Sequence, residues 1–391
     1  MSNRPDRDDC RLAKAFIGVN LKLPGKQMKI LIIPNRGRSY NAVRPEAECY
    51  IALAETGHDI TVISSGTNAY IDRYKNSKVK FIELKTLKKH SWAVIKQIHQ
   101  YIKVNNIDIV YATESKGIPN AAFACIGTKA KLIVYRGTSG GMYKTDPSNY
   151  LCMLHPRING VIGVSSAVSA NVKEKVRGAI KTNVETIYKG HDLSWYEEDA
   201  VDLTSLGSDK KYFNILCVGS PRHHKGTHIL LDAAKELNDI EDLRIILVGD
   251  NLKKQPFIDQ INNSGMSERI LQPGFRNDVP AIAKACDLLI LPSLSKEGLT
   301  RTVLESLSNG TPVVSSANDG VVETIENGFN GYLVPIGDVQ AIADKIRMLY
   351  NDRVLLEKLS NHAQDIIKDK MSHHKTVKNM EAYFEKILAQ T

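Results

Sequence analysis

Asp287-Leu-Leu-Ile-Leu291-Pro-Ser-Leu-Ser-Lys-Glu297-Gly298-Leu-Thr-Arg-Thr-Val-Leu-Glu305-Ser-Leu-Ser-Asn-Gly310-Thr-Pro-Val-Val314 reads as strand, loop, helix, strand. The apolar run 287–291 is stopped by Pro292. A helical pattern over 300–308 is closed by Asn309-Gly310, and Pro312 prevents its continuation. A strand, a helix of this length and a second buried strand make a βαβ unit, and hence a parallel sheet.

The same alternation runs outward in both directions. Upstream, strands are predicted at 28–34, 59–64, 79–84, 107–112, 131–136, 160–164 and 184–187, with helical patterns at 45–56, 91–104, 117–127 and 166–177. The stretch 191–211 is acidic and lacks a period, and reads as a linker. A second series follows, with strands at 213–218, 243–248, 269–272, 287–291, 312–314 and 331–334 and helices at 226–237, 279–285, 300–308 and 338–350. The expected organisation is a polar extension (1–27), a first domain (28–190), the linker, a second domain (212–352) and C-terminal helices (353–391) returning towards the first domain. The fold class is α/β: two Rossmann-like, doubly wound parallel-sheet domains facing a central cleft. In such sheets ligands bind beyond the carboxyl ends of the strands.

Composition agrees. The 391 residues are 42% apolar and 24% charged, enough for two cores and too apolar for a disordered chain. No apolar run approaches the roughly 18 residues of a membrane span. Six cysteines, at 10, 49, 125, 152, 217 and 286, lie far apart without a Cys-x-x-Cys, which fits a reducing cytoplasm rather than a disulfide framework or a zinc site. No secretory signal is evident. Residues 1–190 hold 30 basic against 14 acidic residues, a net +16, while 191–391 hold 22 against 29, a net −7. The basic half should favour an anionic partner, and charge alone does not choose among nucleic acid, acidic glycan and membrane surface.

Candidate chemistry concentrates after the strand 287–291. The helix start at Leu299, Thr300 and Arg301 offers backbone N–H groups and a positive dipole end, suited to a diphosphate. Glu297 belongs at the mouth of the cleft. Glu305 lies roughly 7–8 Å further along the helix, too far to share a proton but placed to grip hydroxyls of a different ring. Taken alone, the pair also reads as a helix-start acid and a solvated surface acid.

Further segments agree in order and spacing: Val218-Gly219-Ser220…Lys225-Gly226, Leu247-Val-Gly-Asp250, Pro273-Gly-Phe-Arg276-Asn-Asp278, Asp319-Gly320…Glu323 and Asn327-Gly…Asn330-Gly-Tyr-Leu-Val-Pro335. With Glu297, seven residues, Glu305 and then Gly310-Thr-Pro-Val-Val, the series resembles the signature of retaining GT-B glycosyltransferases of family 4. The match is dense over 213–352 and thinner in the first domain, where Lys189-Gly190-His191-Asp192 stands in place of Asn-Gly-Val-Asp.

The resemblance implies a nucleotide diphosphate sugar as donor, a UDP-sugar favoured over a GDP-sugar, with no cofactor and no essential metal. It implies that Glu297 contacts the transferred sugar, Glu305 the ribose, and Lys225 the leaving diphosphate. Gly219, Ser220, Gly298 and the 299–301 helix start would complete the donor site, and Arg276 stands where the base is held. The arginine usual after the strand's glycine is Ser220 here, and Arg222 is expected to take its place.

In the first domain Asn35-Arg36-Gly37-Arg38-Ser39-Tyr40 follows the first strand; Gly37 admits close backbone approach to the diphosphate. Arg36, Arg38, Arg44 and Arg136 are candidates for an acceptor, and Arg136 replaces a histidine frequent in the family. An arginine cannot serve there as a general base. The basic amphipathic stretch 85–103 reads as a helix packed on the sheet in preference to a membrane helix. The overall expectation is a cytoplasmic hexosyltransferase acting on a glycan or glycolipid in surface polysaccharide or lipopolysaccharide synthesis, with peripheral contact to an anionic membrane and no nucleic acid partner. The rivals are a non-catalytic nucleotide-sugar or polyanion-binding protein and a nucleotide-sugar epimerase.

Overall fold

Among the described residues thirteen short strands, all paired in parallel, sort into two sheets. The computed structural model describes residues 27–34, 39–65, 69–84, 88–176, 178–220, 222–250, 252, 254–295 and 297–390. In the first sheet β1 (Lys29–Ile33), β2 (Asp59–Ser65), β3 (Lys80–Leu84), β4 (Ile109–Ala112), β5 (Lys131–Arg136), β6 (Ile158–Gly163) and β7 (Val184–Thr186) take the order β3-β2-β1-β4-β5-β6-β7. In the second, β8 (Phe213–Val218), β9 (Leu243–Val248), β10 (Ile270–Gly274), β11 (Leu288–Leu291), β12 (Val313–Ser316) and β13 (Gly331–Val334) take the order β10-β9-β8-β11-β12-β13. The order reverses between β1 and β4 and between β8 and β11, so each sheet has a crevice at its switch point. The two-domain α/β architecture read from the sequence is the one observed.

Both faces of each sheet are covered, as the near-continuous apolar strands require. One face of the first sheet packs against the helix Trp92–Asn105 through Ile95, Ile98 and Ile102, leaving Trp92 78% exposed. The amphipathic stripe therefore faces the sheet. The other face packs against the helices Tyr40–Glu55 and His373–Leu388; the latter brings Val377, Met380, Tyr383 and Phe384 back to the first domain from the end of the chain.

Two expectations need correction. The helix foreseen from Pro45 begins at Tyr40, with Pro45 inside it. Proline usually marks a first turn, but the added residues are fixed by distant partners: Asn41 Nδ2 donates to the Asn277 carbonyl at 3.1 Å and Arg44 Nη1 to the Trp195 carbonyl at 3.0 Å. The stretch 191–211 is not a loose linker. His191, Leu203 and Leu206 are buried, and the Val201 N–H donates to the Ala281 carbonyl at 3.1 Å. Its short 3-10 turns, capped by Asp192 and Asp202, carry no hydrophobic period to announce them.

Candidate active site

The switch point of the second sheet gathers the loops after β8 and β11. The β8 loop turns at Gly226, with φ +68°, where a Cβ would lie 1.8 Å from the Pro292 carbonyl oxygen. Only glycine permits that approach. The Leu294 N–H closes the contact by donating to the His224 carbonyl at 2.8 Å. Held in this way, Lys225 Nζ meets Glu297 Oε1 at 2.7 Å.

Glu297 is buried, and its carboxylate accepts from three side chains, Lys225 among them. Ser293 Oγ donates to Oε1 at 2.7 Å and Thr300 Oγ1 to Oε2 at 3.1 Å. Burial works to raise its pKa, but the Lys225 charge and these hydrogen bonds outweigh it and hold the carboxyl below its ordinary value. Because the Thr300 side chain is directed to Glu297, the helix Arg301–Ser308 has no side-chain cap at its amino end. The first-turn N–H groups and the positive dipole end are left facing the crevice region beside Leu299.

Glu305, one turn on, is 1% exposed. Its Oε1 lies 3.4 Å from Arg301 Nε, and its Oε2 has no hydrogen-bond partner among the described residues. Burial pushes its pKa from an ordinary 4.5 to about 7, opposed by the Arg301 charge. Such an orphaned acceptor costs stability unless something donates to it.

The remaining donor-side candidates are distributed less simply. Gly219 and Ser220 are half-buried at the end of β8, and Arg222 is exposed, its N–H donating to the Ser220 carbonyl at 2.7 Å. Arg276 is clamped in a fork by Asp278, at 2.8 and 2.6 Å, so its side chain is already occupied. Gly298 bridges the cleft: a Cβ there would lie 2.1 Å from the Gly137 carbonyl oxygen of the first domain.

On the first-domain side Arg44 and Arg136 are both engaged by the chain itself. Arg44, besides its bond to the Trp195 carbonyl, stacks on the Trp195 ring at 5.1 Å and so ties the first helix to the segment after β7. Arg136 donates to the carbonyls of Thr138 and Gly140 and fastens its own loop. In both, the guanidinium group donates to backbone carbonyls of a neighbouring loop. The expectations for Arg36, Gly37 and Arg38 fall outside the described residues.

Beside Gly137 lies a cavity of about 510 Å³, lined among others by Lys89, Thr113, Glu114, Tyr135, Arg136 and Asp146 at the carboxyl ends of β4 and β5. A larger cavity, about 600 Å³, opens at the amino ends of β5 and β6 near Lys131, Ile158 and Lys175, at the opposite ends of the strands. Next to the first cavity, the half-buried Glu46 accepts from Lys189 Nζ at 2.6 Å, from Tyr50 at 2.5 Å and from Thr113. The residues missed by sequence reading were therefore Ser293, Glu46, Thr113 and Glu114. Only Thr113 and Glu114, the first two residues after an apolar strand, carried a signal by which they could have been found.

Known proteins share this fold. The model of the glycosyl transferases group 1 matches residues 201–366, and that of glycosyltransferase family 4 matches 47–195. The N-acetyl-alpha-D-glucosaminyl L-malate synthase of Bacillus anthracis is 25% identical over 358 residues, covering 86% of this chain and 91% of that protein. A solved glycosyltransferase from Rickettsia africae superposes with a TM-score of 0.80 at 20% identity, over 94% of this chain and all of that one. Anabaena HepE, solved in complex with UDP, gives 0.76 at 22% identity over 92% of this chain and all of its own. The chain belongs to the GT-B glycosyltransferases of the family 4 type. Among the described residues no helix is long and apolar enough to cross a membrane.

Proposed function

We propose that the chain moves a hexose, with retention of anomeric configuration, from a nucleotide diphosphate sugar to a hydroxyl of a glycan or lipid-linked acceptor in surface polysaccharide or lipopolysaccharide synthesis. The observation that carries this reading is Glu305, a buried carboxylate with one orphaned oxygen, set beside an uncapped helix start at a topological switch point. Ribose hydroxyls donating to Oε2 satisfy it, and the diphosphate then lies on the helix start. The UDP complex of Anabaena HepE supports a uridine nucleotide ahead of a guanosine one.

Lys225 and Glu297 form an internal ion pair, so neither charge is left uncompensated. When the donor binds, Lys225 faces the diphosphate and stabilises the charge that develops as the C1–O bond breaks. Arg222, exposed on the same loop, is the second cation that can reach the phosphates. Glu297, held ionised, orients the hydroxyls of the transferred sugar. The acceptor hydroxyl attacks C1 from the face the phosphate leaves, and its proton passes to the departing phosphate oxygen. The acceptor occupies the cavity next to Gly137, whose Thr113, Glu114 and Asp146 suit hydroxyl groups. Lys89 on its lining, with Trp92 exposed three positions on, supports peripheral contact with an anionic membrane at the cytoplasmic face.

Thermal unfolding with UDP, GDP, ADP and CMP tests the donor assignment. A ligand at ~100 times its dissociation constant adds about 2.7 kcal/mol. UDP should raise the transition and Glu305→Gln should diminish the shift. No shift from any nucleotide at millimolar concentration refutes the assignment.

A further inference from the structure

Glu323 lies on the segment between β12 and β13, in the second domain, yet its carboxylate is bonded to the first. Oε2 accepts from the Ser166 N–H at 3.1 Å, the Ser166 hydroxyl at 2.8 Å and the Tyr188 hydroxyl at 2.6 Å; Oε1 accepts from the Ala167 N–H at 3.3 Å. Ser166 and Ala167 open a ten-residue helix, Ser166–Lys175, so the negative charge sits at its positive dipole end. Lys370 adds a bond from its ammonium to the Glu323 carbonyl at 3.2 Å.

The other end of the same segment touches the donor loop. A Cβ on Gly320 would lie 0.9 Å from the Gly298 carbonyl oxygen, and Asn318 Nδ2 donates to the Ser293 carbonyl at 2.5 Å. Ser293 and Gly298 flank the stretch that carries Glu297. Residues 318–323 therefore form a short strut: one end braces the loop of Glu297, and the other is fastened by four hydrogen bonds to the domain that holds the acceptor cavity.

We propose that Glu323 is a positioning residue for sugar transfer, setting the first domain and its acceptor cavity in register with the Glu297 loop. The proposal rests on the transferase reading above. Glu305, Lys225 and the 299–301 helix start, assigned above to the nucleotide, all stand in the second domain, whereas transfer needs both domains aligned to within a fraction of an ångström. Loss of the strut should then spare nucleotide binding and damage transfer.

Glu323→Gln, with its oxygen kept towards Ser166 and Tyr188, sets its NH2 group against the Ala167 N–H. Tyr188→Phe removes one bond and leaves the charge. Both variants are measured for UDP affinity by calorimetry, for kcat and KM of transfer, and for donor hydrolysis without acceptor. The expected result for Glu323→Gln is a UDP affinity within about twofold of the parent, a transfer kcat lowered about tenfold, and a larger share of donor lost to water. Tyr188→Phe should move the same way by about threefold. A fall in thermal stability with an unchanged kcat and an unchanged hydrolysis-to-transfer ratio in both variants makes Glu323 mere glue between domains and overturns the proposal. Weakened UDP binding with unchanged kcat overturns it as well. A parent protein that binds no nucleoside diphosphate refutes instead the reading on which the proposal stands.

Discussion

Replacing Glu305 by Gln should make the unliganded protein more stable while making it a poorer nucleotide binder. Below pH 4.5 the carboxyl is protonated in both folded and unfolded chains and contributes nothing to pH dependence. Between pH 4.5 and about 7 only the folded chain retains the proton, so stability falls as pH rises; above 7 the loss is complete. A rise from 4.5 to about 7 corresponds to about 3 kcal/mol at 1.36 kcal/mol per unit. Glutamine has no such ionisation. Urea denaturation should therefore find Glu305→Gln about 3 kcal/mol more stable than the parent at pH 8, with a difference below about 1 kcal/mol at pH 5. The same variant should bind UDP about tenfold more weakly, since a hydrogen bond to an ionised acceptor is replaced by a neutral one. A stability difference that does not change between pH 5 and 8 refutes the burial argument. Unchanged UDP affinity refutes the ribose assignment.

Lys225→Met removes the counter-charge of Glu297 and the cation facing the diphosphate, and initial-rate assays should show kcat lowered about 100-fold. Lys189→Met leaves the half-buried Glu46 without its ion-pair partner and should cost about 1–3 kcal/mol by chemical denaturation, most of it recovered when Glu46→Gln is added. Gly298→Ala places a methyl against the Gly137 carbonyl, a backbone atom that cannot swing away. It should lower kcat in initial-rate assays by forcing the domains apart.

The architecture was legible in the sequence because parallel strands buried on both faces are unbroken apolar runs, and the helices between them keep strict periods. The meeting of Lys225 with Glu297 was implied only by the ordered motifs, since the two stand 72 positions apart. What sequence reading could not deliver is the set of side chains engaged by distant backbone. Arg44 and Arg136 look like ligands for an anion when only charge is visible; their partners are carbonyls whose direction depends on the folded loops. Glu323 was visible as part of a motif, but its grip on Ser166 and Tyr188 joins residues more than 130 positions away. The helix beginning at Tyr40 was read short because its first turns answer to Asn277 and Trp195, not to a local pattern.

The helix His373–Leu388 has a consequence for how the chain is made. It covers Ile30, Ile32, Tyr111 and Ile162, strand residues synthesised far earlier, on a face no other late segment protects among those described. Ribosomes add about 5–20 residues per second, so that apolar face waits on the order of 10–40 s for its cover while the second domain emerges. During that interval the first domain is a client for a chaperone, and a chain stopped short of residue 373 keeps the liability for good.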